Sequence, residues 1–127
     1  AVVQCLLDHG AKVNARNADG ETALQLATKE GKISIARILL GYGASLDSEV
    51  GEEDSLVEAV QEGHEEIVEM LLKKGVSPNV KLRDGKTLLM LAAKKGQDKL
   101  LKILISYGAD IHARSSRAET TLMVAVR

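Results

Sequence analysis

Apolar residues occur along the chain in short clusters separated by polar stretches of similar make-up. Between positions 19 and 31 they fall at Ala23, Leu24, Leu26 and Ala27. That spacing predicts an amphipathic helix, and Gly31 is placed to end it as a left-handed cap. Ile33, Ile35, Ala36, Ile38, Leu39 and Leu40 predict a second helix, which Gly41, Tyr42 and Gly43 stop. Thr22 precedes the first helix, and Thr87 and Thr120 recur at the same place. A hydroxyl there accepts a hydrogen bond from an orphan amide of the first turn, and Asp54 is expected to do the same in the unit between. Polar turns such as 14–20 and 81–85 lie between the helices, and the Asp-Gly pairs at 19–20 and 84–85 predict tight or hairpin turns. Helices of about eight to ten residues do not persist alone, so stacking must stabilise them.

The clusters repeat. Gly10, Gly43, Gly75 and Gly108 come into register at intervals of 33, 32 and 33, and Gly31, Gly63 and Gly96 at 32 and 33. A period of this length indicates stacked units, each too small to bury its own apolar face. Before the first glycine series stand Leu6-Leu7, Leu39-Leu40, Leu71-Leu72 and Leu104-Ile105. After it come Val13-Asn14, Leu46-Asp47, Pro78-Asn79 and Ile111-His112. The expected boundaries are 1–18 for a partial repeat, 19–50, 51–83 and 84–116 for complete ones, and 117–127 for a second partial one. The chain is therefore expected to be an excerpt of a longer array.

These residues resemble the ankyrin repeat family, whose unit is about 33 residues with a Thr-Pro-Leu-His-x-Ala signature. The matching stretches begin at Thr22, Asp54, Thr87 and Thr120 and end at Ala27, Ala59, Ala92 and Ala125. The Leu-Leu-x-x-Gly-Ala-x-Val-Asn stretch of the family stands nearly verbatim at 6–14. The resemblance implies an all-α fold, an ankyrin-type α-solenoid of helix-turn-helix units with β-hairpin or turn loops. The family's Pro and His are absent from every signature, which implies a softer array.

Composition narrows the chemistry. The chain has 127 residues, 45% apolar, with two Tyr and neither Phe nor Trp, so its core is aliphatic and stacking platforms for bases or flat cofactors are scarce. A single Cys excludes an intrachain disulfide and a Cys-rich zinc site. Short apolar runs predict no membrane insertion, and the opening residues do not read as a leader. An intracellular protein, cytoplasmic or nuclear, is expected. Cys5 holds the slot of Ile38, Met70 and Ile103, which predicts a small buried hydrophobe. His9, His64 and His112 occupy three different repeat positions, which does not converge on a metal. No phosphate loop, nucleophile elbow or paired catalytic carboxylates stand out, so no enzyme, cofactor or small-molecule substrate is expected.

Charge is unevenly spread. The formal net charge is −1, but it divides as +1 over 1–18, −2 over 19–50, −4 over 51–83, +3 over 84–116 and +1 over 117–127. Glu69 and Lys73 form a favourable i,i+4 pair on a solvated face. In the family, loop tips and inner helices line a groove that contacts partners. The positions that correspond are Arg16, Asn17 and Asp19, then Ser48, Glu49, Glu52 and Glu53, then Lys81, Arg83 and Lys86. Inner-helix ends add Lys29, Glu30, Glu62, Lys94 and Lys95, and Glu58 stands where Leu26, Leu91 and Val124 are apolar. The expected function is a protein-protein interaction module binding a partner protein along that groove, by complementary charge. The alternative is a spacer or docking segment of a larger channel, enzyme or adaptor. The acidic unit and the lack of aromatics argue against nucleic acid. The resemblance also implies asparagine hydroxylation at Asn14 and Asn79.

Overall fold

The computed structural model describes residues 2–44, 52–82 and 84–127, with the side chains of 52–54 excepted. Its helices are α1 Val2–Asp8, α2 Ala23–Lys29, α3 Ile33–Gly41, α4 Glu52–Glu62, α5 Glu65–Lys73, α6 Leu88–Lys94, α7 Asp98–Ser106 and α8 Thr121–Ala125. Two layers result. The inner helices α2, α4, α6 and α8 touch in series, as do the outer helices α1, α3, α5 and α7. Within a unit, α2 packs on α3, α4 on α5 and α6 on α7. Among the described residues the only β pairing is isolated antiparallel bridges, Arg16 with Thr22, Lys81 with Thr87 and Arg114 with Thr120.

The start signals act as the sequence predicts at three helices. Thr22, Thr87 and Thr120 accept hydrogen bonds from the backbone N–H of Gln25, Met90 and Met123. Gln25 answers with its side chain on the Thr22 backbone, completing a capping box. Gly31, Gly63 and Gly96 then take φ of +70°, +75° and +69°, a region that costs other L-residues a steric penalty. There the backbone N–H of Lys32, His64 and Gln97 returns to the carbonyls of Ala27, Ala59 and Ala92. Each inner helix is closed in this way as the chain folds back into the outer one.

Asp54 departs from the prediction. Helix α4 begins at Glu52, three residues ahead of the position where α2, α6 and α8 begin, so Asp54 lies inside its first turn and not at the cap.

The core lies between the layers and is densest at the middle of the stack. Leu56, Ile67, Leu71, Leu88 and Leu104 are fully enclosed. Their equivalents at the two ends are not: Leu6 is 57% exposed and Leu122 73%. The same gradient corrects the expectation for Cys5, which is exposed. Its slot is only half-buried even in the interior of the stack, at Ile38, Met70 and Ile103. Among the described residues helix α1 has α3 as its main neighbour and contains no buried residue, and none of them encloses the thiol.

Candidate functional site

The loops are built by one repeated hydrogen-bond scheme. The backbone N–H of Asn17, Leu82 and Ser115 donates to the carbonyl of Glu21, Lys86 and Glu119, at 3.0, 2.8 and 2.9 Å. In the first loop the Asn17 side chain accepts from the N–H of Asp19 and Glu21, and Ser115 does the same for Arg117 and Glu119. Asn17 is thereby the residue that shapes its turn, while Arg16 and Asp19 project as exposed side chains. Lys81 is exposed beside its bridge to Thr87, and Lys86 pairs with Asp84 at 3.8 Å. Glu52 and Glu53, expected at a hairpin tip, belong to α4. Ser48, Glu49 and Arg83 lie outside the described residues.

Consecutive loops and helix ends are locked together. Ser116 donates from its hydroxyl to the Asp84 carbonyl, and its backbone N would stand 2.8 Å from a Cβ on Gly85. Asn79 joins two repeats: its amide donates to the Gly108 carbonyl at 3.2 Å and accepts from the Asp110 N–H at 2.8 Å. Lys95 donates to the Gln61 carbonyl at the C-terminal end of α4, where a cation complements the helix dipole. His64 lies half-buried with its ring against Gly31, and Nε2 has no hydrogen-bond partner. Gln97, one repeat on, lies against Gly63 in the same manner. His9 instead turns back on its own helix, with Nδ1 2.8 Å from the Cys5 carbonyl. Among the described residues no three His, Cys, Asp or Glu side chains gather as a metal site.

Two clefts involve the predicted charges. One, of about 100 Å³, is lined by Glu21, Gln25, Lys29 and Glu58, so the structure brings Lys29 and Glu58 from adjacent inner helices to one rim. Glu58 is half-buried there. The second, of about 190 Å³, places Lys86 with Arg117, Glu119 and Arg127, and an ion pair joins Arg127 to Glu119. Glu30, Glu62 and Lys94 are exposed at successive inner-helix ends. Gln25, Glu119 and Arg127 were not anticipated. The Thr-x-x-Gln spacing of a capping box points to Gln25, whereas Arg127 and Glu119 meet only through the last turn of the chain.

No helix among the described residues is long and apolar enough to cross a membrane. A family model described as ankyrin repeats in three copies matches residues 1–81 and 56–127. An ankyrin repeat-containing protein of Treponema pallidum is 33% identical over 111 residues, 86% of this chain and 37% of that protein. The potassium channel AKT2/3 of Arabidopsis thaliana is 30% identical over 98% of this chain, which spans 16% of the channel. The E3 ubiquitin-protein ligase KEG of the same plant is 34% identical over 90% of the chain, which spans 7% of the ligase. The chain thus spans well under half the length of each of these relatives.

Proposed function

Because the chain belongs to the ankyrin repeat family, whose repeats serve generally as protein-protein interaction modules, we propose that it binds a partner protein along the face made by its loop tips and inner helices. The carrying observation is that Lys29 and Glu58, from consecutive inner helices, share one cleft, with the exposed charges of Glu30, Glu62 and Lys94 on the helix ends around and beyond it. Side chains there are free to select a partner because the core does not need them. The order runs from mixed through acidic to basic, so a partner of complementary order would be steered to it, and salt would slow the encounter. Lys86 and Lys95 contribute less, since each already has a partner within the chain.

Affinity capture from cell lysate tests this, with the chain and a variant carrying Lys29→Ser, Glu58→Gln, Glu62→Gln and Lys94→Ser as parallel baits. A protein held by the first and lost by the second supports the inner-face reading. Equal capture places the contact elsewhere. The relatives favour one second reading: a docking or spacer segment of a larger protein, since the matching stretch is a small share of a channel and of a ligase. Absence of any specific capture favours it. Hydroxylation at Asn14 and Asn79 is proposed as a modification of the same loops. Peptide mass analysis of protein from hydroxylase-containing cells would show each carrying one added oxygen, and unmodified peptides would sink the idea.

A further inference from the structure

The outer layer carries a difference between two equivalent interfaces. Where α1 meets α3, Tyr42, just past the end of α3, donates its hydroxyl to the carboxylate of Asp8, the last residue of α1. One repeat on, the residue equivalent to Tyr42 is Lys74 and the residue equivalent to Asp8 is Gly41. The slot that holds a carboxylate at the first interface therefore has no side chain at the second. Gly41 is also unexplained by its own backbone. It lies in α3 without a positive φ, and a Cβ built on it would meet nothing within 4 Å. It is the last residue of α3, and no close internal contact requires a glycine there.

What the glycine leaves is a shallow cleft of about 400 Å³ between α3 and α5, lined by Arg37, Leu40, Gly41, Met70, Lys73 and Lys74. Leu40 and Met70 give it an apolar floor, and the three cations form its rim. Of these, Lys73 has the Glu69 carboxylate at 3.8 Å with both side chains exposed, a pairing of small worth in water. Arg37 and Lys74 have no ion-pair partner among the described residues. We infer that this outer-face cleft binds an acidic peptide segment of a partner protein, one carboxylate taking beside Lys74 the place that Asp8 holds beside Tyr42, and a neighbouring aliphatic side chain resting on Leu40 and Met70. Charge complementarity selects the acidic partner, and the missing side chain at Gly41 lets its backbone approach. The site lies on the layer opposite the inner-helix face and does not depend on that face binding anything.

The test is an amide-resolved NMR titration of the isotopically labelled chain with a synthetic peptide of alternating Glu and Leu. The same peptide with Gln for Glu, and vesicles of phosphatidylserine and phosphatidylcholine, are run beside it. Shifts should gather at residues 37–41 and 70–74 with the Glu peptide and be lost with the Gln peptide. Gly41→Asp should keep the native spectrum, because its side chain enters open space, and should weaken binding about tenfold by supplying Lys74 with an internal carboxylate. Lys74→Glu should weaken it at least as much. The inference is overturned by equal binding of the Gln peptide, or by undiminished binding to Gly41→Asp. Shifts confined to the inner helices would overturn it too, as would vesicle binding at these residues without peptide binding.

Discussion

Tyr42 shows how one side chain reports on an interface between repeats. Its hydrogen bond to the Asp8 carboxylate, then desolvation, then repulsion from the Asp8 charge raise its pKa above the ordinary 10.0, while a hydrogen bond from Gln4 pulls the other way. A raised folded-state pKa means that the link stabilises the fold fully below the unfolded-chain value. It is lost as pH rises through the higher folded one. The chain has only two Tyr and no Trp, so phenolate absorbance of a Tyr107→Phe variant reads the Tyr42 titration alone. Asp8→Asn should bring the Tyr42 transition down toward the ordinary value, and an unmoved transition would show that Asp8 is not its cause. Ala118 is a second residue under local constraint. It stands where Gly20 and Gly85 stand in the other loops, yet takes φ of +60°. Relieving a left-handed Ala gains about 1–2 kcal/mol, and the added freedom of Gly in the unfolded chain returns part of it. Ala118→Gly should thus raise stability by roughly 0.5–1 kcal/mol in a urea titration, and a loss of stability would contradict the strain.

At the scale of elements, the turns between inner and outer helices separate backbone need from packing need. Gly31 and Gly96 share nearly the same φ, but a Cβ at Gly31 would stand 2.6 Å from Cε1 of His64, whereas one at Gly96 meets nothing within 4 Å. Gly96→Ala should cost about 1–2 kcal/mol, the left-handed penalty alone. Gly31→Ala should cost roughly 1 kcal/mol more, because the imidazole must shift out of a packed position. His64→Ala in the same chain should erase that excess, and a double-mutant cycle without coupling would remove the contact from the account. The glycine spacing was legible in the sequence because a positive φ is a property of one residue. That the next repeat's His64 or Gln97 rests on the preceding glycine was not, because the partners lie a full repeat apart and meet only through stacking.

Over the whole molecule, burial rises toward the middle of the stack. Helices α1 and α8 hold no buried residue, whereas α5 and α6 hold four each. Amide hydrogen exchange should be slowest in α4, α5 and α6 and fastest in α1 and α8, since protection follows buried contact. Uniform exchange along the chain would mean that the array opens as one unit. The same gradient explains why equivalence between repeats misled for Cys5. Even in the interior the slot is only half-buried, and among the described residues α1 has chiefly α3 beside it.

The period, the all-α class, the Thr caps and the glycine turns were determined by sequence alone, because each rests on local backbone preference or on the spacing of apolar residues along one helix. The early start of α4 at Glu52 escaped that reading, which placed the cap by equivalence with the other repeats. Tertiary structure decided which charges stand together. It set Lys29 beside Glu58 across two inner helices, engaged Lys95 on the Gln61 carbonyl, and left Arg37 and Lys74 around the space at Gly41. The reason is geometric: a repeat of about 33 residues returns the chain to the same depth in the stack, so side chains distant in sequence become neighbours only once the layers are formed.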